Sequence, residues 1–159
     1  MSQGSKRASI TPALLRHAAA IASNNAAMAL ETEGKRLDLD RLGRGVSLLL
    51  EDRSKGFYLV AEDESGEVVG QLMVTYEWSD WRAGTFWWIQ SVYVAPHARR
   101  TGVYRALYEH LLQFAREDGG VCGIRLYVER ENERAMTTYR ALGMARAHYE
   151  MFEVDFVLG

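Results

Sequence analysis

The sequence holds one cysteine, Cys122, in 159 residues. That excludes an internal disulfide and a cysteine-built zinc cluster, though not a site made from histidine and carboxylates. With no disulfide framework, a cytoplasmic protein is the expectation. Nor is there an excess of positive charge: 19 Lys and Arg against 21 Asp and Glu give a formal charge of −2. This argues against a nucleic-acid partner, which would call for a basic surface. No apolar run approaches the roughly 18 residues of a membrane span, so no membrane partner is expected. Residues 1–7 are polar and lack an apolar signal core; a flexible tail is expected there. His17, His97, His110 and His148 are scattered, and no spacing suits a metal, so none is expected. Also missing are the GxxxxGK[ST] lysine turn and the GxGxxG dinucleotide fingerprint.

What is present is ordinary for a globular chain: 48% apolar and 25% charged residues, without repeats, low-complexity tracts or a linker. One domain over 8–159 with a sizeable core is expected. Thr11-Pro12 reads as a helix start, with Leu14, Leu15, Ala18, Ile21 and Ala22 at helical spacing behind it and an Ala-rich run toward Met28. A second helix is expected over 40–50. From Gly56 the period changes to that of strands: 57–61, a turn, 68–77, a polar turn, then an aromatic-rich strand over 85–94. A helix follows over 101–117, with Val103, Leu107, His110, Leu111 and Phe114 as its stripe. Then come a strand over 121–129, a helix over 132–142 closed by Gly143, and a last strand over 144–156. The fold class is α/β (α+β): a mixed, mostly antiparallel sheet flanked by helices.

Within this order, 91–112 stands out. The strand Val92-Tyr93-Val94 breaks at Ala95-Pro96, and Arg99, Arg100, Thr101 and Gly102 form a basic turn before a helix. The first N–H groups of a helix lack intrahelical acceptors and sit at the positive end of its dipole, a layout that suits phosphate. A helix start with solvated arginines is the plainer alternative.

Two motifs carry a family resemblance. One is Val94-Ala95-Pro96 followed by Arg99-Arg100-Thr101-Gly102-Val103-Tyr104; the other is Leu126-Tyr127-Val128, Asn132-Glu133-Arg134-Ala135, Tyr139 and Gly143-Met144. In this order the chain resembles the GNAT N-acetyltransferase superfamily, whose members move an acetyl group from acetyl-CoA to an amine. The resemblance implies splayed central strands and acetyl-CoA as cosubstrate. It assigns the diphosphate to backbone N–H groups of Arg99, Arg100, Thr101, Gly102, Val103 and Tyr104. It assigns the pantetheine arm to backbone groups of Val92, Tyr93 and Val94. Tyr104 departs from the family, which has a small residue there; its bulk must point away from the ligand or displace the turn.

The same resemblance gives Tyr139 the role of acid toward the departing thiolate, against a plainer role as a packed tyrosine. Asn132 would touch the cofactor, cap its helix, or both. Glu77, beside Tyr76, Trp78 and Trp81, is the candidate base if its surroundings desolvate it, and otherwise a solvated carboxylate. Gln90 cannot act as a base but could position water or acceptor. Trp87 and Trp88 alternate to opposite faces, so one of them can face a cleft. Trp78 and Trp88, with Glu31 and Glu33 after the first helix, would suit a cationic amine; core tryptophans and surface glutamates are the alternative. The aromatic hairpin would serve a homodimer interface as readily as a pocket. A non-catalytic acetyl-CoA-binding module is the competing class, and the amine acceptor is unidentified.

Overall fold

The computed structural model describes residues 8–158. The tail expected over 1–7 lies outside the described residues. The chain divides into two compact units at Leu126 and Tyr127.

The first unit is built on a five-stranded sheet in sequence order: β1 (Ser9–Pro12), β2 (Gly56–Glu62), β3 (Val68–Ser79), β4 (Gly84–Val94) and β5 (Val121–Leu126). All neighbours run antiparallel except β4 and β5, which are parallel. The parallel pair needs a crossover, and helix α3 (Val103–Glu117) supplies it. Helices α1 (Ala18–Glu33) and α2 (Leu39–Glu51) precede β2.

Strand alternation sorts the core into two layers. Ile21, Val46 and Leu49 of α1 and α2 pack with Tyr58 and Val60 on one sheet face. On the other, α3 comes so close to β3 that a Cβ at Gly70 would stand 2.6 Å from Val103 Cγ1. Val103, Leu107, Leu111 and Ala115, four residues apart, form the buried side of α3. His110 and Phe114, expected in that stripe, lie half-buried beside it with rings 4.6 Å apart.

The α1 layer is fastened by polar groups as well. Gln71, 1% exposed on β3, donates from Nε2 to Asn25 Oδ1 at 2.9 Å and accepts from Asn24 Nδ2 at 2.9 Å. Asn25 donates in turn to the Tyr58 hydroxyl at 3.1 Å. A buried amide left without partners would cost about 1–3 kcal/mol, so this network fixes where α1 sits on the sheet.

Thr11-Pro12 does not start a helix. Both lie in β1, with Thr11 opposite Val60 and Pro12 opposite Leu59. Proline is tolerated there because β1 is an edge strand and needs donors on one side only. The turn into α1 is set by a side chain of another kind. Leu14 N–H donates to His17 Nδ1 at 2.8 Å, and His17 Nε2 lies 2.5 Å from Glu62 Oε1. Nδ1 therefore carries no proton and Nε2–H is the donor to Glu62. Arg16 donates to the same carboxylate oxygen at 3.0 Å. Helix α1 ends at Glu33 and is closed by Gly34 at φ 63°.

The second unit holds α4 (Glu133–Ala141). Asn132 Oδ1 caps it by accepting from Ala135 N–H at 3.0 Å, and Gly143 at φ 89° follows its end. The strand expected over 144–156 is absent; this stretch has no regular secondary structure, and Tyr149, Phe152 and Phe156 are exposed. Alternating apolar residues give a strand two faces, but its backbone forms a strand only against a hydrogen-bonding neighbour. The strand expected over 121–129 likewise ends at Leu126.

The hydrogen bond from His17, helped by the charge of Arg16, holds the Glu62 carboxyl below its ordinary value of 4.5 despite some desolvation. A depressed pKa gives stability that is complete above the unfolded value and lost as pH falls through the folded one. Glu62→Gln should therefore lower Tm by a few degrees at neutral pH. Melting curves from pH 7 to 3 should show the gap to wild type closing below about 4.5, the ordinary carboxyl value; a constant gap would overturn the account.

Candidate active site

The sheet opens at one residue. Met73 pairs with Ser91 and Val74 with Ile89, so Gln90 is an extra residue that β3 does not match. It donates from Nε2 to Thr75 Oγ1 at 2.7 Å. On the other side of β4, pairing with β5 ends at Ile89 opposite Leu126. Beyond that point Val92, Tyr93 and Val94 pair with Leu72, Gln71 and Gly70 on β3, past the last β5 partner. An edge of this kind can hydrogen-bond an extended ligand that carries amides.

The edge leads directly to the start of α3. Ala95 N–H donates to Val69 O at 2.9 Å, and Pro96–Ala98 form a single 3-10 turn. Arg100 adopts φ 63° and Gly102 φ 87°, both left-handed. Thr101 Oγ1 donates to Ala98 O at 2.6 Å, which tightens the loop. Gly102 is the N-cap of α3; no side chain caps it and no acidic residue lies in the first turn. The positive end of the helix is thus left to an anion. The Tyr104 hydroxyl oxygen is buried.

Arg99 is less available than its place in the motif implies. Its Nη2 donates to both carboxylate oxygens of Glu31, at 3.0 and 2.7 Å. Its Nε donates to Val94 O at 2.9 Å, and its Cζ lies 5.7 Å from the Tyr93 ring centroid. The side chain clamps the end of α1 to the end of β4. Glu31, expected beside an amine, is ion-paired with Arg99 at 2.7 Å. Glu33 Oε2 lies 3.7 Å from Lys35 Nζ, with both side chains more than half exposed. Arg100 remains exposed beside the turn.

The sheet face that carries Gln71 also carries Thr75 and Glu77 by alternation. Here Glu77 Oε2 accepts from Arg125 Nη1 at 2.7 Å and from Trp88 Nε1 at 3.2 Å. Of the two alternatives for Glu77, the geometry is that of a solvated carboxylate: its side chain is 45% exposed and ion-paired. Trp88 is half-buried on this face, whereas Trp87 is buried on the other, its ring 5.1 Å from that of Phe57. Trp78 and Trp81, at the hairpin tip, are 67% and 89% exposed and form no closed pocket wall. Arg125 escaped the sequence reading. The available signal was a lone cation within the otherwise uncharged run 121–126.

In the second unit, Asn132 caps α4 and Tyr139 sits on the same helix seven residues later, two turns on. Tyr139 O accepts from Met144 N–H at 3.0 Å, closing the helix end.

Comparison with known proteins bears on these features together. The model of the acetyltransferase (GNAT) family matches residues 29–144. Mycothiol acetyltransferase of Mycolicibacterium gilvum (strain PYR-GCK) is 32% identical over 92 residues, covering 55% of this chain and 29% of that longer protein. The matched part thus spans less than a third of that relative. Among solved structures, a possible acetyltransferase from Clostridium difficile 630 is 44% identical, with a TM-score of 0.88 over 95% of this chain and 99% of that one. An aminoglycoside N-acetyltransferase in complex with CoA shares the fold, with a TM-score of 0.78 at 12% identity over 98% and 99% of the two chains. The family match runs through the extra residue of β4, the Gly102 turn and the Asn132 helix, and the chain belongs to the acetyltransferase (GNAT) family.

Proposed function

We propose that this protein is an acetyl-CoA-dependent N-acetyltransferase in which an amine attacks the thioester directly. The observation that carries the reading is the continuity of the open β4 edge with the uncapped start of α3. One offers amide partners to an extended arm, and the other offers N–H groups and a positive dipole to a diphosphate. Acetyl-CoA would supply the activated acetyl group. Backbone groups of Val92, Tyr93 and Val94 would hold the pantetheine arm. Those of Arg99, Arg100, Thr101, Gly102, Val103 and Tyr104 would hold the diphosphate. Asn132, besides capping α4, would border the same ligand.

Tyr139 would give its phenolic proton to the departing sulfur. A phenol of pKa about 10 can donate to a thiolate whose acid form titrates near 8.5 when the two are hydrogen-bonded. Glu77 would receive the proton that the amine nitrogen loses. Glu77 already accepts from Arg125 and Trp88, so a water between Glu77 and the amine fits the role better than direct abstraction. Trp88 and Gln90 would border the acceptor, with Trp78 at its outer rim. Glu31, ion-paired with Arg99, and the exposed Glu33 would contribute little to holding the amine. No helix among the described residues is long and apolar enough to cross a membrane. A lone cysteine suits a cytoplasmic enzyme.

The commitment of Glu77 to Arg125 favours a second reading, a module that binds acetyl-CoA without turning it over. Release of CoA thiol on adding amines, with the acetylated product confirmed by mass, separates the two. Thiol release that no amine stimulates would remove the enzymatic reading.

Gly102→Val should weaken acetyl-CoA binding roughly tenfold or more in calorimetry, because a β-branched residue is strained in the left-handed region. An unchanged Kd in a folded variant would remove the turn from the site. Tyr139→Phe should lower kcat roughly 10²-fold or more while barely changing acetyl-CoA affinity. Unchanged turnover would remove the phenol from the chemistry.

A further inference from the structure

We infer that the acceptor is an amine carrying a carboxylate a few bonds away, as in an amino acid, and that Arg125 is its anion anchor. The inference rests on the acetyltransferase reading and narrows its substrate class.

Arg125 lies where an acceptor must come. It pairs with Trp88, one position before the last β4–β5 pair, Ile89 with Leu126, beyond which Gln90 and the open edge follow. Its guanidinium stacks on an aromatic floor, with Cζ 3.7 Å from the Phe86 ring centroid and 5.8 Å from that of Trp88. Phe86 itself is buried, and the Cβ that Gly123 lacks would stand 2.6 Å from its ring. The ring therefore fits only because its partner on β5 is glycine.

Contact with the two rings holds the guanidinium in place. One nitrogen, Nη1, reaches Glu77 at 2.7 Å, and the side chain remains 32% exposed. A planar fork with in-plane donors matches the two oxygens of a carboxylate. The charges point the same way. Arg82 also lies over Phe86, with Cζ 5.0 Å from the centroid, so two guanidiniums share the ring while Glu77 pairs with Arg125. These three groups sum to one positive charge, which an incoming carboxylate would balance. A simple cationic amine, by contrast, would add to the excess.

The pair also sets the distance between the two ends of the acceptor. Glu77 and Arg125 touch at 2.7 Å, so a molecule that places its amine by Glu77 and its carboxylate on Arg125 has the two groups close together. On acetylation the amine nitrogen bonds to the acetyl carbon and loses one proton, the C–S bond breaks, and CoA leaves as its thiol. The carboxylate is unchanged and serves only to hold the acceptor.

The test uses the full chain with acetyl-CoA and three matched sets of acceptors: L-amino acids, their primary amides, and the corresponding amines without the carboxyl group. Thiol release should give kcat/KM at least tenfold higher for the acids than for the amides. Arg125→Gln should collapse that ratio toward one, and Arg125→Lys should restore part of it. The same probes are titrated by calorimetry into wild-type protein saturated with CoA, which needs no variant to fold. Binding that requires the carboxylate supports the anchor even without turnover. Equal binding of acids and amides overturns it, as does an aminophosphonate that binds better than the matched acid. Transfer to amines with no carboxylate preference sinks this inference alone. Carboxylate-dependent binding without transfer to any acceptor sinks only the catalytic reading.

Discussion

Everything in the proposed site follows from β4 having two different neighbours. It runs antiparallel to β3 along its whole length but parallel to β5 only as far as Ile89. A parallel pair cannot be closed by a tight turn, so the chain must leave β4, cross through α3 and return. The crossover brings the positive end of α3 next to the free part of β4. Gln90, the one residue without a match on β3, sits where the two pairings part company. The edge and the helix start are therefore two products of a single topological choice.

Two arginines show how tertiary contact reassigns charge. Arg99 belongs to a motif that suggests a phosphate ligand, yet its side chain is held by Glu31, Val94 and Tyr93. Its contribution is to brace the turn, so the N–H groups and the exposed Arg100 are left to meet an anion. Arg125 belongs to no motif, yet its guanidinium lies over the Phe86 ring on the face that carries Glu77. A guanidinium keeps its charge in either setting; what differs is whether its remaining donors face protein or solvent.

The layers behind the site are held by unlike means. Facing α3, the packing is apolar and so tight that Gly70 must be glycine. Facing α1, a buried amide network around Gln71 sets the position of the helix. Dispersion and apolar burial are tolerant of sliding, whereas hydrogen bonds are not. The second arrangement suits α1, because Glu31 near its C-terminal end must reach Arg99.

The elements with a strong period were legible in the sequence: the β2–β3 and β3–β4 hairpins, α2, α3, and α4 with its Asn132 cap. The family motifs were legible too, because turn chemistry is local and Gly102 must adopt a left-handed conformation that few other residues accept. Thr11-Pro12 was misread because a cap-and-proline pair looks alike before a helix and at a sheet edge. The choice was made by Val60 and Leu59, some fifty residues away. The strand expected over 144–156 failed for the same reason, since alternation does not provide a partner. The sequence alone determined the order of elements from α1 through α4, the helix-start turn and the family, all of which depend on neighbours along the chain. Only the tertiary structure decided which carboxylate meets which cation: Glu31 with Arg99, Glu62 with His17 and Arg16, and Glu77 with Arg125. Coulomb energy and hydrogen-bond geometry depend on distance through space, and composition and spacing carry no record of it.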